Sequence, residues 1–263
     1  MKKENKKEKD SIKKDKDANE KKVNKKKKKD KKTFIKTSGK VLGDRVYEQV
    51  KVTDYSSTSV FVYYSKTKRD FMGKKNIKDG NLVYVPYTDN KLIVRNVVKL
   101  PTDIIDSKDT DALISDIRDL MDKYVYIPDE VDKEIIITYV LLTWVYDLFS
   151  AIPYLRAIGE LGTGKSRLLR VLNICYKSLC TRALASSAPI FRIIDKFGGT
   201  LIIDEAELGR NTERNEDIKE ILRSGKDSDG VILRCDPKTL DPIPYEVFGP
   251  KILGSRRSYS DDA

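Results

Sequence analysis

Two short segments of this chain have residue types and spacing suited to chemistry on phosphates. The first, Gly159-Glu160-Leu161-Gly162-Thr163-Gly164-Lys165-Ser166, fits G-x-x-x-x-G-K-[ST]. Glycines at 159, 162 and 164 let a loop wrap its backbone N–H groups around phosphate oxygens, and Thr163 and Arg167 belong to the same cradle. Lys165 is expected to reach the β- and γ-phosphates, and the Ser166 hydroxyl to ligate Mg²⁺. The second segment is Leu201-Ile202-Ile203-Asp204-Glu205, an apolar strand ending in an acidic pair. Asp204 is placed to hold the Mg²⁺ shell, and Glu205 to orient and deprotonate a water that attacks the γ-phosphate.

The acidic pair separates reaction classes. A small-molecule kinase must exclude water and has no use for a water-activating glutamate, whereas an NTPase that couples hydrolysis to motion needs one. Hydrolysis therefore ranks above phosphoryl transfer to a substrate. The strand expected at Cys180–Leu184 agrees, since it places an extra strand between the loop strand and the acidic strand. Glu207 reads as a solvated residue at a helix start. A third strand, Pro250–Gly254, ends in Ser255-Arg256-Arg257, where a polar side chain would contact the γ-phosphate or attacking water. Ser255 is the expected sensor, with Arg256 in reserve.

These residues need a scaffold, and the pattern supplies one. Tyr154–Ile158 reads as the strand entering the loop, and Arg167–Tyr176 as the helix leaving it. A helix is expected over Pro189–Phe197, with Ser187 as cap and Gly198 as stop. Asn215–Arg223 is helical in pattern, and Val231–Cys235 and Pro244–Phe248 can pair as a hairpin with Lys238 at its tip. Strands alternating with helices predict an α/β fold around a parallel sheet. Upstream, Thr110–Tyr124 shows a helical stripe of Leu113, Ile114, Ile117, Leu120, Met121 and Tyr124. Val131–Phe149 is apolar nearly all round and predicts a buried helix with Trp144 in the core. Before that, Arg45–Val52, Ser59–Tyr64, Asn81–Tyr87 and Lys91–Lys99 alternate like strands. Tyr63, Tyr64, Tyr84 and Tyr87 among them are suited to packing or to stacking on bases. The expected organisation is a disordered tail at 1–32, a small β-rich domain at 33–102, a helical linker region at 103–150 and a nucleotide-binding core at 151–263.

Composition sets the outer bounds. The 263 residues carry 52 Lys+Arg against 41 Asp+Glu, a net charge of +11. Residues 1–32 hold 17 Lys and 7 Asp+Glu, so +10 of that charge belongs to the tail and the remainder is nearly neutral. With almost no apolar residues, the tail cannot offset its ordering entropy and reads as a basic tether at most. There is no histidine, which excludes Ser-His and Cys-His nucleophile pairs and histidine-ligated zinc. Cys175, Cys180 and Cys235 form no metal or disulfide framework and suit a reducing compartment. The lysine-rich start lacks the apolar stretch of a signal peptide, and the apolar run Ile135–Tyr146 is too short to span a bilayer. A cytoplasmic protein with no membrane partner is expected.

The motifs together resemble AAA+ ATPases of the MCM-like helicase type, found in replication proteins of phages, plasmids and chromosome cassettes. The resemblance rests on Tyr139-Val140-Leu141-Leu142-Thr143-Trp144-Val145-Tyr146-Asp147, Gly162 to Arg167, Ala188-Pro189-Ile190-Phe191-Arg192, Leu201 to Ala206, and Gly249-Pro250-Lys251-Ile252-Leu253. It implies ATP and Mg²⁺ as cofactors, single- or double-stranded DNA as partner, and a ring of subunits, a homo-hexamer, with basic hairpins in its channel. Lys238 matches such a hairpin only loosely. The chain departs from the family by stopping at Asp261-Asp262-Ala263, before the arginine that reaches a neighbour's ATP site and before the helical lid. Slow hydrolysis by a truncated chain is therefore expected. The alternative reading is an AAA+ switch, or a non-hydrolysing nucleotide-binding module tethered to nucleic acid by its tail.

Overall fold

The computed structural model describes residues 32–52, 59–105, 109–181, 188–204 and 213–256. Residues 1–31 of the tail, the proposed cap Ser187, the acidic residues Glu205 and Glu207, and Arg257 lie outside the described residues.

The chain forms two compact units. The smaller joins the segment ending at Lys36 to Asn76–Val85, and the larger comprises Thr37–Lys75 and the chain from Pro86 onward. Strand β1 (Thr33–Lys36) belongs to the smaller unit, and β2 (Gly39–Leu42), β3 (Arg45–Lys51), β4 (Ser59–Ser65) and β5 (Asp70–Lys74) to the larger. Strands β6 (Ile77–Asp79) and β7 (Leu82–Val85) return to the smaller, where β7 pairs parallel with β1 and antiparallel with β6. In the larger unit β2-β3-β4-β5 is an antiparallel meander. Within that unit, the buried Gln49 amide pairs with the Tyr87 backbone like a strand neighbour, donating to its carbonyl at 2.8 Å and accepting from its N–H at 3.2 Å.

Lys91–Lys99 is not a strand. Its start is one helical turn, α1 (Lys91–Val94), because the Asn90 side chain accepts from Leu92 N–H at 2.9 Å and caps it. Only Val98 keeps a β-bridge, to Leu179.

Helix α2 (Thr110–Tyr124) has the predicted bounds, capped by Asp109, and buries Ile117 and Met121 of its stripe. Helix α3 runs Glu130–Thr143, capped by Asp129. Ion pairs Lys133–Asp122, at 2.9 Å, and Arg118–Glu134 tie α2 to α3. The predicted continuous helix to Phe149 is interrupted. The Thr143 hydroxyl donates back to Val140 O at 2.6 Å and accepts from Tyr176 N–H, and a separate 3₁₀ turn forms at Tyr146–Leu148. Trp144 is therefore not core: it is 45% exposed, its indole donating to Ile174 O and its ring edge-on to Tyr176.

The remaining elements alternate. Strand β8 (Leu155–Ile158) is followed by α4 (Lys165–Val171), β9 (Leu179–Thr181), α5 (Ala188–Phe197), β10 (Leu201–Ile203) and α6 (Glu213–Ser224). Hairpin β11 (Val231–Cys235)–β12 (Pro242–Glu246) then precedes β13 (Lys251–Ser255). Four strands make a wholly parallel sheet in the order β8-β13-β10-β9. The strand between the loop strand and the acidic strand is thus β13. The strand expected there, now β9, lies at the outer edge instead. Burial explains the order: every residue of β10 and β13 is buried, as a central position requires, while β8 and β9 are partly exposed.

Side-chain alternation divides the core between the sheet's faces. Leu201, Ile203 and Leu253 pack with α5, α6 and the hairpin, and Ile202 and Ile252 with α2, α3 and α4. The result is a three-layer mixed α/β body. Among the described residues no helix is long and apolar enough to cross a membrane.

Candidate functional site

Open parallel sheets gather ligand chemistry at the carboxyl ends of their strands, because the chain turns there into helix N-termini. Here Ile158, at the end of β8, leads into the glycine-rich loop. Gly162 and Gly164 take left-handed backbone angles, φ 81° and 89°, where a side chain would be strained. Gly164 is also the N-cap of α4, and its carbonyl accepts from Arg167 and Leu168 N–H at 2.9 and 3.0 Å. Gly159 is needed for closeness: a Cβ there would lie 2.9 Å from Thr163 Oγ1. Thr163 Oγ1 in turn donates to Glu160 O at 2.9 Å.

The Lys165 ammonium lies along this loop, donating to Gly159 O, to Glu160 O at 2.6 Å and to Thr163 Oγ1 at 3.3 Å. Carbonyl acceptors hold a cation over the loop, where anionic oxygens compete for it best.

The adjacent central strands bring the other groups. Asp204 follows β10 and is buried, with its N–H donating to Thr181 O at 3.0 Å. Ser255 ends β13, is buried, and its backbone carbonyl accepts from Gly159 N–H at 3.2 Å, which fixes the loop's entry against β13. Gly254 permits this approach: a Cβ there would lie 2.7 Å from Leu169 Cδ1 and 3.4 Å from Asp204 Oδ1.

A cavity of about 270 Å³ is lined by Leu161 to Arg167, Asp204 and Gly254 to Arg256. It therefore brings together Gly162, Thr163, Gly164, Lys165, Ser166, Arg167, Asp204, Ser255 and the reserve Arg256. Gly159 shapes the loop from behind, and Glu205 lies outside the described residues. Gly254 joins the site without belonging to either motif, and its signal in the sequence is a glycine within an otherwise apolar strand, which marks a close approach. Lys238, at the hairpin tip, takes no part in the cavity: its N–H is held by Asp236 Oδ1 at 2.7 Å.

Among the described residues no group of three or more His, Cys, Asp or Glu could hold a metal. The site does fit Mg²⁺ bound in another way. Mg²⁺ prefers hard oxygen donors, keeps several waters, and is commonly held by one or two protein oxygens together with substrate phosphates. The Ser166 hydroxyl and the Asp204 carboxylate on one cavity are such a donor set.

A buried network lies behind the sheet. Lys177, φ +42° and buried, makes an ion pair with Glu48 Oε1 at 2.7 Å and donates to Ser38 Oγ at 3.2 Å. The Tyr176 hydroxyl donates to Glu48 Oε2 at 2.8 Å. Burial pulls the Lys177 pKa down while Glu48 opposes the shift. Lys251, in β13, is buried beside Tyr154 and donates to the carbonyls of Gly225, Val247 and Gly249 at 2.9–3.1 Å. Burial pushes its pKa down to about 7.

No protein-family model matches the chain, and no curated protein does. Among solved structures, the apo A form of the NrS-1 C-terminal region (305–718) is similar to it at 10% identity, with a TM-score of 0.33. That match covers 82% of this chain and 56% of the NrS-1 chain, so this chain spans just over half the length of that structure.

Proposed function

We propose that this chain is the P-loop ATPase core, of AAA+ type, of a DNA helicase-like replication protein from a mobile element. One observation carries the reading: Lys165, Ser166, Asp204 and Ser255 converge on one cavity at the carboxyl ends of a parallel sheet in which the sensor strand separates the loop strand from the acidic strand. The interposed strand supports hydrolysis over phosphoryl transfer, and the helicase assignment adds to it the MCM-like resemblance of the sequence.

Each residue then has a role. The loop amides and Lys165 bind the β- and γ-phosphates, and Lys165 exchanges its carbonyl acceptors for phosphate oxygens. Ser166 and Asp204 hold Mg²⁺, which when bound neutralises phosphate charge. Glu205 accepts the proton of the attacking water. Ser255 hydrogen-bonds the γ-phosphate or that water and reports its presence along β13.

The test is ATP turnover by the full chain, with and without single-stranded DNA, alongside Lys165→Ala and Glu205→Gln. Each variant is expected to lose on the order of 100-fold or more in rate, typical for removal of one transition-state contact. Glu205→Gln is expected to keep nucleotide binding. Turnover unchanged in both variants refutes the assignment. Nucleotide binding without turnover in the parent chain favours a non-hydrolysing module.

A further inference from the structure

The antiparallel β2–β5 meander leaves one row of apolar side chains in solvent. Val41 pairs with Val46 across β2 and β3, and Tyr64 with Phe71 across β4 and β5. Continuing the β3–β4 register outward from Glu48↔Val62 by two residues sets Val46 opposite Tyr64. The four therefore form one continuous row on one face, 58%, 63%, 48% and 40% exposed in the order Val41, Val46, Tyr64, Phe71. At strand spacing the row is about 14 Å long. The neighbouring row on the same face is Gly39-Glu48-Val62-Gly73, and a Cβ at Gly73 would meet nothing within 4 Å. A shelf beside the aromatic pair is thus open.

The charge around this face is not that of the rest of the body. Residues 37–75 hold eight Lys+Arg against four Asp+Glu, but the register turns Lys40, Arg45, Lys51 and Lys74 to the opposite face, so the basic border of this row is the β4–β5 turn. Both turns at the near end of the row are polar and exposed. The β4–β5 turn carries Lys66, Lys68 and Arg69, and the β2–β3 turn carries Asp44 beside Arg45, with Lys66 reaching Asp44 at 3.8 Å. Tyr64 and Phe71 stand edge to face, with centroids 5.4 Å apart, leaving aromatic surface toward solvent. Aromatic faces on a sheet, bordered by a basic turn, match the chemistry of a single strand: bases stack on the rings and phosphates run along the cations.

We infer that the β2–β5 face binds single-stranded nucleic acid, with two or three bases on the Tyr64–Phe71 end of the row and the backbone along Lys66, Lys68 and Arg69. The surface shares no residue with the lining of the phosphate cavity. It rests on the proposed action on DNA only for the choice of probe.

The experiment measures anisotropy of a labelled oligothymidylate about 20 nucleotides long and of an abasic strand of equal length, using the full chain without nucleotide. Basic tail residues meet phosphates on both probes alike, so the ratio of the two affinities isolates stacking. The parent chain is expected to prefer the base-bearing strand at least about fivefold, and Tyr64→Ser/Phe71→Ser to lose the preference. Replacing Lys66, Lys68 and Arg69 by serine keeps the aromatic pair and is expected to flatten the log–log salt slope by about 2. The inference is overturned if the parent chain shows no base preference, or if the double variant retains it. It is also overturned if the double variant breaks an oligomer apart with base preference intact, since the face would then join copies of the chain. The same preference measured in Lys165→Ala keeps this outcome separate from that of the nucleotide site: if it persists while turnover is lost, both readings stand.

Discussion

In the parallel sheet, Leu201, Ile202, Ile203, Ile252 and Leu253 are all buried because helices cover both faces, and polar chemistry is confined to the strand ends at Asp204 and Ser255. In the β2–β5 sheet the cover changes along one face. Glu48 packs against Lys177 and Tyr176, and Val46, two residues earlier on the same face, stands in water. A doubly covered sheet can present a ligand only with what its loops place at its rim, whereas a meander with an open row can present its face. The first arrangement suits one small ligand held by converging groups. The second suits a long ligand that touches many side chains weakly.

The sharpest contrast along β3 is energetic, and Glu48→Ala should show the largest effect. It leaves the buried Lys177 with the Ser38 hydroxyl and the Tyr176 ring but no counter-charge, and removing one member of a buried pair costs about 3–5 kcal/mol. Urea unfolding followed by Trp144 fluorescence is the suitable measurement, because that ring lies 5.3 Å from Tyr176, the other partner of Glu48. A double change, Glu48→Leu with Lys177→Met, should recover most of the loss. A loss below about 1 kcal/mol for Glu48→Ala would mean that the meander is not anchored through this pair.

The next effect belongs to the parallel sheet. Lys251 lies in a central strand with its folded pKa lowered by burial to about 7, against 10.5 ordinarily. Between those values the unfolded chain holds a proton that the folded chain has released, so stability should rise with pH across that window. Below about pH 7 both states are protonated and the contribution is flat. The three carbonyl acceptors favour the ammonium and limit the shift. From pH 7.5 to 9 the parent chain should gain roughly 1–2 kcal/mol relative to Lys251→Met. Parallel pH profiles for the two proteins would mean that the carbonyl cage keeps Lys251 charged throughout.

Local signals in the sequence were the legible ones. The glycine spacing from 159 to 164, the apolar run before Asp204, the stripe of α2 and the β11–β12 hairpin depend on neighbours a few residues apart; each forms, although the hairpin's second strand is Pro242–Glu246, two residues earlier than the expected Pro244–Phe248. Strand order was not legible: β8 pairs with β13 across nearly a hundred residues, and what places β13 in the centre is burial of both its faces. Lys91–Lys99 misled because Leu92, Val94 and Asn96 alternate with Ile93, Arg95 and Val97 without a strand partner, while Asn90 supplies a cap. Trp144 misled because hydrophobicity gives no warning of the Thr143 back-bond that ends the helix. The aromatic row was half visible. Tyr64 was a candidate for stacking or packing, and only the register shows that it stands with Phe71 on the open side.

The smallest predicted effect tests the comparison most closely. Val46→Thr keeps β-branching, and so the strand's conformational preference, and adds a hydroxyl where water already reaches. If the open row contributes little to the fold, the urea midpoint should move by no more than about 0.5 kcal/mol in equivalent stability, with an unchanged m-value. Glu48→Ala, two residues along the same strand and on the same face, is expected to cost several times more, so the pair reads out the boundary between anchored and open sheet within one strand. A Val46→Thr cost of 1 kcal/mol or more would show that Val46 is covered in solution. The row would then be part of a packed interface, and the contrast between the two sheets would fail at the residue where it is drawn most finely.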